Sequence, residues 1–265
     1  MTTAPRPGFY HQLTLQLDVI GALVLRELHT RFGRNNIGYL WMIGEPMMLA
    51  TVIGALHAFQ PGHVGSTMPP VAFSLVGYCI FIIFRGIFNR AESILESSLP
   101  LLYHRMVSVL NVSISRVVVE SVGCVTTFIL LYTIIILLGF AELPARPLWA
   151  MAGVAGMIWI SFAWGLNVTA LAFDRPTIGR LVHPISYFMM PLSGAFFAVE
   201  WLPVSIQKAA DWFPLVNVFE IVRYGMFEMA SDKHLFPGYL IANCAFFTYA
   251  GLIALRRVRN RIHLN

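Results

Sequence analysis

Apolar residues run along this chain in six long blocks, at positions 37–59, 71–88, 117–140, 148–173, 182–199 and 238–255. Even the shortest, at about 1.5 Å of rise per residue, reaches ~27 Å, close to the ~30 Å hydrocarbon thickness of a bilayer. A helix satisfies its own backbone in lipid, whereas a membrane barrel would show alternating segments of ~10 residues. No such alternation is present. The pattern predicts an all-α integral membrane protein with six transmembrane helices.

Three further segments break this rhythm. Across Tyr10–Gly33, Leu13, Leu17, Ile20, Val24 and Leu28 recur every three or four residues, while Gln16, Asp18, Arg26, Glu27, His29 and Arg31 interrupt them. That is one apolar helix stripe, expected as an amphipathic interface helix on the cytoplasmic face. The polar stretch Phe88–Glu120 contains Pro100, which is expected to break helix continuity and leave short helices on either side as a compact hairpin. In Glu200–His234 the apolar pieces are too short to span, and Pro203 and Pro214 divide them. The aromatics Trp201, Trp212, Phe213, Phe219 and Tyr224 suit an interface, so this segment is read as a re-entrant pair of short helices on the periplasmic side, before the last span.

Composition agrees. The chain has 265 residues, 57% hydrophobic and 12% charged, and a mean hydropathy of +0.70. Soluble domains are about 25% charged. The net charge of +5 would in a soluble domain point to nucleic acid, but the basic residues flank apolar blocks and act as topology signals. With the N-terminus inside, fourteen Lys and Arg fall on the cytoplasmic side; only Arg146, Lys208, Arg223 and Lys233 fall outside. Both termini are therefore expected in the cytoplasm. The N-terminus lacks the run and cleavage site of a signal peptide, so the first span is expected to direct insertion. The chain divides into a cytoplasmic segment with the interface helix (1–34), a six-span permease domain (35–256) and a basic tail (257–265).

The candidate chemistry is sparse. There is no GxxxxGK[ST] phosphate loop, no HExxH and no GxSxG, so ATP hydrolysis and hydrolase chemistry are not expected of this chain. Cys79, Cys124 and Cys244 sit inside apolar blocks as packing residues, and the eight histidines are scattered. Charges in or beside the spans are Glu45, Arg85 and Glu120. Arg85, with Arg90, is read as a basic rim on a cavity for an acidic substrate, or else as a side chain snorkelling to the interface. Glu220 and Arg223, three residues apart on one helix, are placed to pair and hold the outer element.

The stretch Leu25-Arg26-Glu27-Leu28-His29-Thr30-Arg31-Phe32-Gly33, running into Tyr39, Trp41, Glu45 and Pro46, resembles the N-terminal signature of ABC-2 type export permeases. Leu101-Leu102-Tyr103-His104-Arg105 with Arg116 and Glu120 resembles the branch serving capsular polysaccharide exporters of Gram-negative bacteria. So does Pro191-Leu192-Ser193-Gly194-Ala195-Phe196-Phe197, followed by Trp212-Phe213-Pro214 and Glu220-x-x-Arg223. That branch often carries His and Gly where this chain has Asn217 and Val218.

The resemblance implies a permease subunit in the inner membrane that pairs with a second copy of itself. It also implies two separate ATPase subunits carrying ATP and Mg, a periplasmic co-polymerase or export partner, and a lipid-linked, often acidic, polysaccharide as cargo. No cofactor is expected on this chain. Leu25, Arg26, Glu27, Arg31 and Phe32, with Leu101, Leu102, Tyr103, His104 and Arg105, would form the ATPase-docking surface. Tyr39, Trp41, Glu45, Phe84, Arg85 and Arg90 would line the channel, and Trp201, Trp212, Phe213, Glu220, Arg223 and Tyr224 the periplasmic gate. The competing readings are an ABC-2 permease for O-antigen, teichoic acid or drugs, a membrane-embedded lipid-modifying enzyme, and a non-transporting scaffold. The lack of a clustered acid, base, nucleophile or metal set weighs against the enzyme.

Overall fold

The computed structural model describes residues 9–32, 44, 47–53, 55–56, 68–102 and 107–262. Within them the chain forms α1 (Phe9–Phe32), α2 (Pro70–Ala91), α3 (Ile94–Leu102), α4 (Val109–Leu137), α5 (Pro147–Asp174) and α6 (Pro176–Leu192). A 3-10 turn (Val199–Trp201) follows, then α7 (Val204–Asp211), α8 (Pro214–Met226) and α9 (Pro237–Ile262). Helices α2, α4, α5 and α9 are long and apolar enough to cross a membrane. Most of the first apolar block lies outside the described residues; 47–53 are helical.

Prolines set several starts. Pro70, Pro147, Pro176 and Pro214 occupy the first turn of α2, α5, α6 and α8, where the missing N–H costs nothing. Helix α4 begins eight residues before the apolar block. Ser108 caps it by accepting from the Asn111 N–H at 3.2 Å, and Ser113 and Ser115 donate back to their own helix at 2.9 and 2.8 Å. The expected break at Pro100 is not seen. Pro100 sits inside α3, which ends two residues later, so near the helix end it interrupts a single backbone bond.

Helix α2 forms the centre, with Ile80, Phe81, Ile83 and Phe84 at most 1% exposed. Its neighbours approach over glycines. A Cβ on Gly77 would overlap the Ala195 carbonyl, and one on Gly86 would overlap the Glu120 carboxylate. Close backbone approach over small residues is how helices pack where lipid supplies no hydrophobic drive. Facing pairs fix directions. Gly77–Ala195 and Arg85–Tyr187 make α2 and α6 antiparallel. Gly156–Leu240 and Leu166–Gly251 make α5 and α9 parallel. One end of the bundle therefore gathers Arg90, Arg116, Arg175, Arg180, Arg256 and Arg257 (the basic end), in line with the charge bias along the sequence.

The block at 182–199 is not a continuous span. Helix α6 has 17 residues, starts six residues early and stops at Leu192 beside the middle of α2. Gly194, at φ 88°, turns the chain. The expected pair of short helices follows as α7 and α8, divided at Pro203 and Pro214. Helix α8 runs antiparallel to α5, from Phe213 beside Trp164 (6.4 Å between rings) to Gly225 against Ala150. Residues 202–236 thus form a hairpin that dips into the bundle from the end opposite the basic one. At the C-terminus, α9 continues as one helix to Ile262, without a boundary near 256.

Candidate functional site

The basic end joins the helices through charge pairs. Arg116 of α4 reaches Glu27 of α1 at 3.6 Å, and its Nη2 donates to the Ser97 Oγ of α3 at 2.7 Å. One guanidinium therefore ties the amphipathic helix and the short helix to the same span. One turn further along α4, Glu120 accepts from Arg90 of α2 at 3.2 Å, in the space left by Gly86. Thr169 of α5 donates to the Ala91 carbonyl at 2.8 Å, occupying an acceptor that the end of α2 would leave open. His183 of α6 lies 3.2 Å from Glu92. Leu23 packs with Ile94, Leu95, Val109, Leu255 and Val258 beneath these pairs.

Of the proposed docking residues, Leu25 and Arg26 are exposed on α1 and Glu27 turns in to Arg116. Arg31 and Phe32 form the end of α1; Leu101 and Leu102 form the end of α3. Tyr103, His104 and Arg105 lie outside the described residues, as do Tyr39, Trp41 and Glu45. The bridge made by Arg116 escaped the sequence reading. Its signal was an arginine at the head of a span opposite a glutamate in an amphipathic helix, but nothing in the sequence paired the two.

Of the channel residues, only Phe84, Arg85 and Arg90 are among the described ones, and each has a different setting. Phe84 is fully buried within the single chain, stacked on Phe88 at 5.1 Å with the edge of Trp164 at 5.8 Å. Arg90 is committed to Glu120. Arg85 lies over the ring of Tyr187 at 4.2 Å.

The gate residues serve mostly to build the hairpin. Arg223 is 2% exposed, bonds Glu220 at 2.7 Å, donates to the Gly194 carbonyl and lies 4.7 Å over the ring of Phe73. Glu220 also accepts from the Val199 N–H at 3.1 Å. Irregular backbone at membrane depth must find partners within the protein. This pair supplies them on both sides of the turn at 194–199. Trp201 stacks on Phe73 at 4.8 Å. Tyr224 is held between Arg146, 4.1 Å over its ring, and the edge of Trp149. Phe213 is half-buried beside Trp164; Trp212 is exposed, its carbonyl accepting from the Tyr239 hydroxyl at 2.6 Å. Asp211 bonds His234 at 2.9 Å and closes the hairpin. Among the described residues, no three of His, Cys, Asp and Glu are grouped to hold a metal ion.

Residues 18–227 match the family described as ABC-2 type transporter. The chain is 34% identical over 241 residues to the capsule polysaccharide export inner-membrane protein CtrC of Neisseria meningitidis serogroup B, covering 91% of each chain. It is 32% identical over 248 residues to the capsule polysaccharide export inner-membrane protein BexB of Haemophilus influenzae, covering 94% of each. It is 27% identical over 265 residues to the polysialic acid transport protein KpsM of Escherichia coli, covering 98% of each.

Proposed function

The chain belongs to the ABC-2 type transporter family, and from that premise we propose that it is the inner-membrane permease subunit of a capsular polysaccharide exporter. What carries the reading is similarity to capsule export proteins over nearly the whole length of both chains. The cargo is a lipid-linked, acidic polysaccharide. Four apolar spans, α6 with its hairpin, and the first apolar block give six crossings with both termini in the cytoplasm. Two copies of the chain enclose the path. Two ATPase subunits dock on the basic end, with ATP and Mg bound there, and a periplasmic export partner meets the opposite end.

The basic-end pairs support a route for the coupling. A partner closing on α1 and α3 would move Glu27 and Ser97, and through Arg116 the head of α4. Glu120 and Arg90 would pass the motion on to α2. Arg116→Ala is expected to lower cargo-stimulated ATP hydrolysis about tenfold while leaving insertion and complex formation intact, since each charge-assisted bond contributes ~1.5–3 kcal/mol. Full stimulation in that variant would remove the route.

The reading itself is tested by deleting the chain in a host that makes an acidic capsule, and by purifying the tagged chain from its membranes in mild detergent. Polymer stranded inside the deletion strain and a co-purifying ATPase are expected. Normal surface capsule in that strain would exclude the export role.

A further inference from the structure

Three arginines of this bundle pair with carboxylates: Arg90 with Glu120, Arg116 with Glu27 and Arg223 with Glu220. Arg85, like Arg146 at the opposite end, meets a tyrosine ring instead. It lies on α2 six residues, about 9 Å, before the helix ends at Ala91. Among the described residues no carboxylate lies within ion-pair distance. Its contact is the ring of Tyr187 on α6, 4.2 Å below the guanidinium carbon. Tyr187 is itself 57% exposed, on a face of α6 that also shows Phe188 at 71%.

A guanidinium over a ring keeps N–H donors available for an anion, because the cation–π contact is made with the ring face and uses no hydrogen-bond acceptor. Such a group at membrane depth is costly to keep there unless it meets an anion. A snorkelling arginine would seek the nearer interface; this one lies over a ring of α6. The exposed remainder of the tyrosine ring offers an apolar platform beside the charge. A fixed cation next to an aromatic surface matches an acidic sugar unit, whose carboxylate meets the guanidinium while its C–H face lies on the ring.

We propose that Arg85 and Tyr187 together form a binding site for carboxylate-bearing sugar units of the exported polymer, with Tyr187 holding the guanidinium in position. This rests on the export reading above and names the residues that select for an acidic cargo. The site holds no covalent or redox chemistry. Its affinity for one unit is modest, as it must be for a polymer that keeps moving.

The test has two arms. In the first, a deletion strain of an acidic-capsule host is complemented with variants, and surface polymer is measured against the amount of inserted chain. Arg85→Ala and Tyr187→Leu are expected to export about tenfold less, and Tyr187→Phe, which keeps the ring, within about twofold of the native chain. Lost capsule in the deletion strain with full export by Arg85→Ala and Tyr187→Leu overturns the site and leaves the export reading standing. Normal capsule in the deletion strain overturns the export reading itself.

In the second arm, the full chain in zwitterionic nanodiscs is titrated with a fluorescent hexagalacturonate and with its neutral, carboxyl-reduced counterpart. About tenfold preference for the acidic probe is expected, lost in Arg85→Ala, weakened in Arg85→Lys and kept in Tyr187→Phe. Equal binding of both probes, or binding of neither, counts against the site. Repeating the titration with phosphatidylglycerol in the nanodisc separates the polymer carboxylate from a lipid phosphate. Unchanged binding supports the polymer; abolished binding assigns the arginine to lipid and overturns the proposal.

Discussion

Arg223→Ala is expected to remove most of the folded protein from the membrane. The native guanidinium is 2% exposed and is bound to Glu220, to the Gly194 carbonyl and to the face of Phe73. Truncation leaves the Glu220 carboxylate buried without its counter-charge, and leaves the Gly194 carbonyl open where no water reaches. Breaking one partner of a buried pair costs about 3–5 kcal/mol, against a total stability on the order of 5–15 kcal/mol. The measurement is the fraction of monodisperse chain surviving a thermal ramp in mild detergent. Glu220→Gln added to Arg223→Ala should recover part of the loss, because it removes the stranded charge. A single variant as stable as the native chain would mean that the pair does not hold the hairpin.

A comparable loss is expected from Gly225→Val, for a different reason. A Cβ at this position would overlap the Ala150 nitrogen and come within 2.6 Å of its Cα and 2.8 Å of the Trp149 carbonyl carbon. All three atoms are backbone, so no rotamer change gives room. Helix α8 would have to leave α5, breaking the bond from the Arg146 N–H to the Gly225 carbonyl at 2.8 Å. Overpacking of this kind costs about 3 kcal/mol or more. Gly165→Ala is the control. Its added methyl would meet the Ala91 Cβ at 3.5 Å, ordinary contact, and the gain in helix propensity offsets any crowding to within about 1 kcal/mol. Equal melting of the two variants would show that the α5–α8 approach is not tight in the membrane.

How far the sequence foretold these features depends on which force decided them. Helices α2, α5 and α9 begin within a residue of their apolar blocks, because transfer into lipid is set by composition. Helix α4 began early because Asn111, Ser113 and Ser115 are buried while the two serines bond their own backbone, which hydropathy counts only as polar. The block at 182–199 was read as one span because apolar content says nothing of direction. The turn depends on the positive φ of Gly194 and on Arg223, 29 residues away.

The spacing of Glu220 and Arg223 announced their pairing, but their backbone partners appear only in the fold. Phe84 shows the same limit. An aromatic in a span reads alike whether it faces a cavity or the core. Arg85 was legible as an unusual charge, and Tyr187, which holds it, was not legible at all.

The arrest of α6 beside the middle of α2 has a consequence for biogenesis. A 17-residue helix with Pro184 and Pro191 inside it, followed after a turn and α7 by a 13-residue helix carrying both a glutamate and an arginine, is a poor substrate for insertion one segment at a time. Each central charge opposes entry by about 2.5–3.5 kcal/mol. The α8 segment can settle only once α2 and α5 stand ready to receive it. A chain lacking the Arg223 guanidinium would then halt with its long helices threaded and the α8 segment, buried in the native fold, accessible to aqueous labels at the end opposite the basic one. Closing the bundle at the end opposite the basic one therefore depends on the packing of α8 as much as on its entry into the membrane.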